Sequence, residues 1–280
     1  MNNQIKDIQY LREKTGFGIM DCKKALADAS GNLEAAYAIL EAKGLQVQEK
    51  KADRCSEQGI VYSDIYDGIG VVVEVSAETD FVARSPDFIE SVGNIAREIA
   101  EGKSTEESIK AMVMKFRENI QLKKSDVIDD GYPYSYMHGN GKYAVILKFD
   151  TEDVVEDIKK DLAMQIIALS PQYVSIKDIP ADKLEEMKMN LLDDIKGDPN
   201  LASKPQNVLD KILVGRMEKI VKEQCLIEQA FIKDENLTVG QMLTEKSKGL
   251  AKPVRLVKFY RYEKAEASNK CPCADNMFIG

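Results

Sequence analysis

The chain has no tryptophan, one histidine and five cysteines among 280 residues. A single imidazole, His138, leaves little material for a His-based catalytic triad or a His-rich metal site. Cys22, Cys55, Cys225, Cys271 and Cys273 are odd in number and widely scattered, which fits a reducing compartment better than a disulfide framework. No apolar run approaches the roughly 20 residues of a membrane span. The opening Met1-Asn2-Asn3-Gln4-Ile5-Lys6-Asp7 carries neither a signal-peptide core nor an Arg-rich transit pattern, so a cytoplasmic location with no membrane partner is expected. Basic residues are also in deficit, 39 against 47 acidic ones for a net charge of -8, which argues against a protein that wraps nucleic acid through bulk positive charge. What is present, 44% hydrophobic beside 31% charged residues, is the composition of a globular chain, and its length suggests about two domains.

Apolar residues recur at helical spacing in three short sets: Ile5, Ile8 and Leu11; Ile19, Cys22, Ala25, Leu26 and Ala29; Leu33, Ala36, Tyr37 and Leu40. Thr15-Gly16-Phe17-Gly18 separates the first from the second, Ser30-Gly31-Asn32 the second from the third, and Gly44 is expected to stop the third. A small three-helix bundle follows, then a polar linker over 46–58. From Gly59 the period becomes two, and Asp67-Gly68 between 60–66 and 69–76 signals a β-hairpin, because its turn needs positive φ. Pro86 sits near the start of a helix running to about Ala100, with Ile89, Val92, Ile95, Ala96 and Ile99 expected on its apolar face. Ser104 is placed to cap another helix ending near Phe116. A second hairpin turns at Gly139-Asn140-Gly141 and leads into a helix ending near Leu169, weakly repeating the first hairpin-helix unit. Leu184, Met187, Leu191 and Ile195, then Leu209, Leu213, Met217 and Ile220, give each of two antiparallel helices one apolar seam. Residues 253–262 alternate again and complete a second sheet.

Chemical motifs are sparse. Gly16-Phe17-Gly18 follows no strand and has Asp21 where a dinucleotide fingerprint needs glycine; Gly139-Asn140-Gly141-Lys142 lacks the spacing of a phosphate loop. The chain is therefore expected to bind no free nucleotide and no cofactor. Cys271-Pro272-Cys273 supplies half of a tetrahedral metal shell at most and reads as part of a tail. Acidic clusters such as Asp126-Asp129-Asp130 read as solvated faces. In Glu78-Thr79-Asp80-Phe81-Val82-Ala83-Arg84-Ser85-Pro86 a strand gives way to a helix; on structure alone, Asp80 is a turn or cap residue and Phe81 a core plug. No active site for covalent chemistry is visible.

Several of these stretches together are similar to one family. Leu11-Arg12-Glu13-Lys14-Thr15-Gly16-Phe17-Gly18-Ile19-Met20-Asp21-Cys22-Lys23-Lys24-Ala25-Leu26 resembles the N-terminal signature of translation elongation factor Ts, and Thr79-Asp80-Phe81-Val82-Ala83 its second signature. Glu118-Asn119-Ile120, His138-Gly139, Val214-Gly215-Arg216-Met217 and Thr238-Val239-Gly240-Gln241-Met242-Leu243 match in the same order. Arg84-Ser85 departs from the Lys with Asn or Asp that is common there, and the end of the chain matches nothing in the family.

The resemblance implies an α+β fold: a UBA-like helical domain and linker over 1–54, core subdomains with antiparallel sheets over 55–140 and 141–262, a coiled-coil hairpin inserted at about 180–226, and a tail over 263–280. It also implies guanine nucleotide exchange on elongation factor Tu, by disturbing the Mg²⁺ and phosphate site of that GTPase. The site residues would be Thr79, Asp80, Phe81 and Val82, with further partner contacts at Met20 and His138. Phe81 would be an inserted wedge. A protein-binding or chaperone-like module without exchange activity is the alternative, since small helical bundles and coiled coils commonly bind proteins; a metabolic enzyme stands third. Without a phosphate loop, the purified chain should show no saturable heat on titration with GDP or GTP. A saturable isotherm would contradict the reading.

Overall fold

The computed structural model describes residues 2–51, 56–198, 200–201, 204–248, 250 and 252–264, so Cys55, Cys271, Cys273 and the tail past 264 lie outside the described residues. The chain divides into two compact units. One comprises Met1–Asp129, Met137–Ala144 and the chain from Tyr262; the other comprises Asp130–Tyr136 and Val145–Arg261.

In the first unit, α1 (Asn2–Thr15), α2 (Ile19–Asp28) and α3 (Leu33–Lys51) close around Leu11, Phe17, Cys22, Leu26, Ala36 and Leu40. Then β1 (Gln58–Tyr66) and β2 (Ile69–Ala77) pair along their whole length across the Asp67-Gly68 turn. A single helical turn, α4 (Asp80–Ala83), precedes α5 (Pro86–Ala100) and α6 (Glu106–Phe116). The chain returns as β3 (Gln121–Ile128), antiparallel to β2, making a three-stranded sheet in the order β1-β2-β3. Val71, Val73 and Val75 alternate toward one face, where they meet Phe88, Val92 and Ile95 of α5 and Met112 and Val113 of α6. Each such side chain, once fully buried, contributes about 1.5–3 kcal/mol of transfer free energy.

Two expectations about local structure need correction here. Gly44 does not end the third helix: α3 continues to Lys51, and a Cβ on Gly44 would lie 2.6 Å from Met114 Cγ and Sδ on α6. The glycine therefore serves close helix approach rather than helix termination. Ile89 is half out of the core, and Phe88 is the buried member of its pair. The i, i+4, i+7 and i+8 stripe of α5 runs through Phe88, Val92, Ile95 and Ala96, leaving Ile89, about 100° around the axis from Phe88, at its margin.

The remaining elements are β4 (Tyr132–His138), β5 (Tyr143–Phe149), α7 (Glu156–Leu169), α8 (Ala181–Gly197), α9 (Gln206–Gln224), the two short strands β6 (Ala230–Phe231) and β7 (Asp234–Thr238), α10 (Val239–Lys246) and β8 (Leu256–Glu263). A second three-stranded sheet has the order β4-β5-β8, and Val145, Leu147, Ile158, Leu162, Ile166 and Met242 are among the residues of the second unit's core. The buried Asp161 carboxylate on α7 draws in two ammonium groups, Lys233 at 2.5 Å and Lys246 at 3.0 Å. Burial pushes its pKa up, but the two lysines outweigh this and hold it below the usual carboxylate value. Thr238 and Gln241 cap α10 reciprocally, Gln241 N–H donating to Thr238 Oγ1 and Thr238 N–H to Gln241 Oε1. This gives the Thr238 to Leu243 stretch a local physical role. Helices α8 and α9 pack side by side.

The Thr15-Gly16-Phe17-Gly18 break carries a tighter constraint than a loop requires. Thr15 Oγ1 donates to Leu11 C=O at 2.6 Å, Gly16 has φ +69°, and a Cβ there would stand 2.7 Å from the Cα of Lys115 on α6. Both the backbone conformation and the neighbouring backbone exclude a side chain. Gly16→Ala should therefore lower stability by about 1–3 kcal/mol, read as a fall in the urea unfolding midpoint at unchanged m; an unchanged midpoint would show that α6 yields at this crossing.

Candidate functional site

The site is built where β2 ends. Thr79 is the N-cap of α4, its hydroxyl accepting from Val82 N–H at 3.4 Å. Ala83 is buried and Val82 packs partly against the same core. In a helical turn the side chain two residues before Ala83 points about 200° around the axis, which sends Phe81 outward. Phe81 is 86% exposed, the most exposed large hydrophobic side chain among the described residues. The core-plug expectation for Phe81 is thus overturned: the core position belongs to Ala83, whose small side chain fits against the sheet.

The turn is locked on both sides. Ser85 Oγ donates to Val82 C=O at 2.8 Å and accepts from Phe88 N–H at 3.3 Å, so it closes α4 and caps α5 together. Arg84 faces Asp80 at 3.4 Å. Arg84-Ser85, where the sequence departs from the family pattern, thus keeps a cation and a capping side chain in place. From the segment that leads into the neighbouring strand β3, the Glu118 carboxylate accepts three hydrogen bonds, from Glu78 N–H at 2.9 Å, Thr79 N–H at 3.0 Å and Thr79 Oγ1 at 2.5 Å. Glu78 returns the contact: its Oε1 accepts from Asn119 N–H at 2.6 Å. Glu118 is only 8% exposed, and a buried carboxylate satisfied by this many donors is a rigid connection.

Beside the turn lies a groove of about 730 Å³ whose walls include Ile60, Asp80, Arg84, Ile89, Met137 and Lys264. Its far wall is the tip of the second hairpin. Gly139, Asn140 and Gly141 all have positive φ, Val61 N–H donates to Gly141 C=O at 2.9 Å, and a Cβ on Gly141 would meet Ile60 Cβ at 2.9 Å. The glycine lets the tip seat on β1. Lys264 Nζ donates to Gln58 Oε1 at 2.7 Å; burial, then the nearby Arg84 charge, push its pKa below the usual lysine value. Residue 138 lies at this tip with its side chain exposed, while its neighbour Met137 faces the groove.

Met20 lies in the first turn of α2 and is 75% exposed, with Ile19 beside it also exposed. The next residue, Asp21, is tied down by Lys43 at 2.7 Å and Arg117 at 3.2 Å. The hydrogen bond from Lys43 leads the effects that hold its carboxyl below the usual value, against the opposing effect of burial. Arg117 immediately precedes Glu118, so one short segment holds both the Phe81 turn and the start of α2. Sequence reasoning quoted Glu118-Asn119 as a match but assigned it no role, and it missed Arg117 and Met137. Nothing local marks these residues, because their partners lie up to 96 positions away.

Since Phe81 makes no core contact that a cavity could replace, Phe81→Ala should shift unfolding free energy by less than about 0.5 kcal/mol. Loss of about 3–5 kcal/mol, the usual cost of emptying a core phenylalanine, would contradict the exposed geometry. Urea titration followed by circular dichroism decides between the two.

A family model described as "Elongation factor TS" matches residues 78–266, which span the Phe81 turn, the Glu118 clamp and the whole second unit. Elongation factor Ts of Clostridium kluyveri is 34% identical over 288 aligned residues, covering 94% of this chain and 93% of that protein. The Clostridioides difficile protein of the same name is 35% identical, covering 94% and 93%. That of Teredinibacter turnerae is 36% identical, covering 94% and 91%. No helix among the described residues is long and apolar enough to cross a membrane. Matched by the family model over most of its length and by these relatives over 94% of it, the chain belongs to the elongation factor Ts family.

Proposed function

We propose that this chain accelerates guanine nucleotide exchange on elongation factor Tu, with the 79–82 turn as the element that loosens the GTPase's hold on GDP. The observation that carries this reading is Phe81, an exposed phenyl ring on a turn that hydrogen bonds to Glu118 and Thr79 hold in place. A large apolar group held outward in water is unfavourable in the free protein and gains about 1.5–3 kcal/mol when a partner buries it.

A GTPase binds GDP through backbone N–H groups of its phosphate loop and through Mg²⁺, which offsets phosphate charge. Inserting a rigid ring beside that site disturbs both sets of contacts without competing for the nucleotide pocket itself. Asp80 sits next to the ring and brings a carboxylate to the same surface, while Met20 and His138 supply further contacts, one from α2 and one from the hairpin tip. By linkage, a factor that weakens GDP binding is itself bound less tightly by the GDP form, by the same factor. Exchange therefore runs through a nucleotide-free complex and speeds release without moving the overall equilibrium.

The test is release of a fluorescent GDP analogue from elongation factor Tu at substoichiometric amounts of this chain. Wild-type protein should accelerate release, and Phe81→Ala should slow it by about tenfold or more while remaining folded, with Asp80→Ala giving a lesser defect. Release no faster than the spontaneous rate with wild-type protein would leave the binding or chaperone-like alternative. Normal exchange by Phe81→Ala would remove the ring from the mechanism.

A further inference from the structure

The geometry points to Glu118 as a positioning residue for exchange: its buried carboxylate fixes the direction in which Phe81 projects, and the segment 117–119 couples that projection to the start of α2 bearing Met20. The inference rests on the Phe81 reading above and adds a residue that touches no partner.

The segment makes its contacts in two directions. Arg117, left-handed at φ +57° as it ends α6, donates to Asp21 Oδ2 at 3.2 Å and lies over the Phe17 ring at 5.7 Å. Glu118 turns the other way and takes both backbone N–H groups at the end of β2 as well as the Thr79 hydroxyl. Asn119 N–H closes the ring by donating to Glu78 Oε1. Thr79 Oγ1 has then spent its proton on Glu118 and presents a lone pair to Val82 N–H. The hydroxyl is thereby fixed as an acceptor at the helix start, so the carboxylate sets the phase of α4 and hence of Phe81. A ring held in its bound direction before docking loses less freedom on binding than one on a loose turn. Because Arg117, next to Glu118 in the chain, reaches Asp21 on α2, the same segment touches the supports of both apolar side chains in the free protein.

The experiment measures release of labelled GDP from elongation factor Tu against rising concentrations of this chain, giving a maximum rate and a half-saturating concentration for each variant. Glu118→Ala, assayed well below its own unfolding midpoint, should lower the maximum rate by about tenfold while half-saturation moves by less than about threefold, since Met20 and the groove are untouched. Glu118→Gln should fall between Ala and wild type, because its amide oxygen can accept from the two N–H groups while its nitrogen donates to Thr79 Oγ1. Combined with Phe81→Ala, Glu118→Ala should add almost nothing, the signature of two residues acting as one unit. If Glu118→Ala does not fold, Thr79→Val, which keeps the shape and removes the hydroxyl, should give the same split. A folded Glu118→Ala with the wild-type maximum rate, or full additivity with Phe81→Ala, would overturn the positioning role and leave the Phe81 reading intact. Normal exchange by Phe81→Ala alone would overturn both.

Discussion

A carboxylate buried beneath the end of β2 organises the surface of this protein. Glu118 is ionisable and almost fully covered, and a charge in that position is tolerable only because three donors face it. Its contacts join residues about 40 positions apart, and they do so at the one place where the chain leaves the sheet for a single helical turn. The direction of Thr79, Phe81 and Ala83 follows from that connection, and so does the placement of Arg117 against the helical bundle.

The outward ring and the inward scaffold are two results of one geometry. Ala83 and Val82 satisfy the core, Ser85 closes one helical turn and opens the next, and Phe81 is what is left pointing at solvent. Met20 shows the same logic on α2, where Cys22, Ala25 and Leu26 face inward and the first turn carries exposed Ile19 and Met20. An exposed phenylalanine and an exposed methionine, each on a rigid support, make surface that gains by being covered. Both supports are already ordered in the free protein, so covering either side chain would cost little further ordering of the chain.

Several elements were legible because their signals are local. Asp67-Gly68 between two alternating runs signals a hairpin, and Pro86 fits the first turn of a helix; both stand where expected. The helical hairpin was legible from its two apolar seams. By contrast, β3 has the sequence Gln121-Leu122-Lys123-Lys124-Ser125-Asp126-Val127-Ile128, in which only Ile128 is buried. It is an edge strand whose polar, lysine-bearing side is what keeps an edge from pairing further, so the pattern that identifies buried strands was absent. The short pair β6 and β7 escaped for a similar reason, having two and five residues with one buried among them.

The sequence by itself determined the family, the α+β class and the positions of the two signatures, because residue order and period survive without any knowledge of distant contacts. Tertiary structure alone decided which way those signatures face. Gly44 looked like a helix stop until α6 supplied Met114 against it. Ile89 looked like core until Phe88 took the centre of the stripe. Phe81 read as a plug from its local pattern and as a wedge only from the family resemblance, until Glu118, Thr79 and Ala83 fixed the phase of one helical turn. Each of these outcomes depends on a partner more than 35 positions away or on a rotation of about 100° per residue, and neither quantity is written in a local pattern.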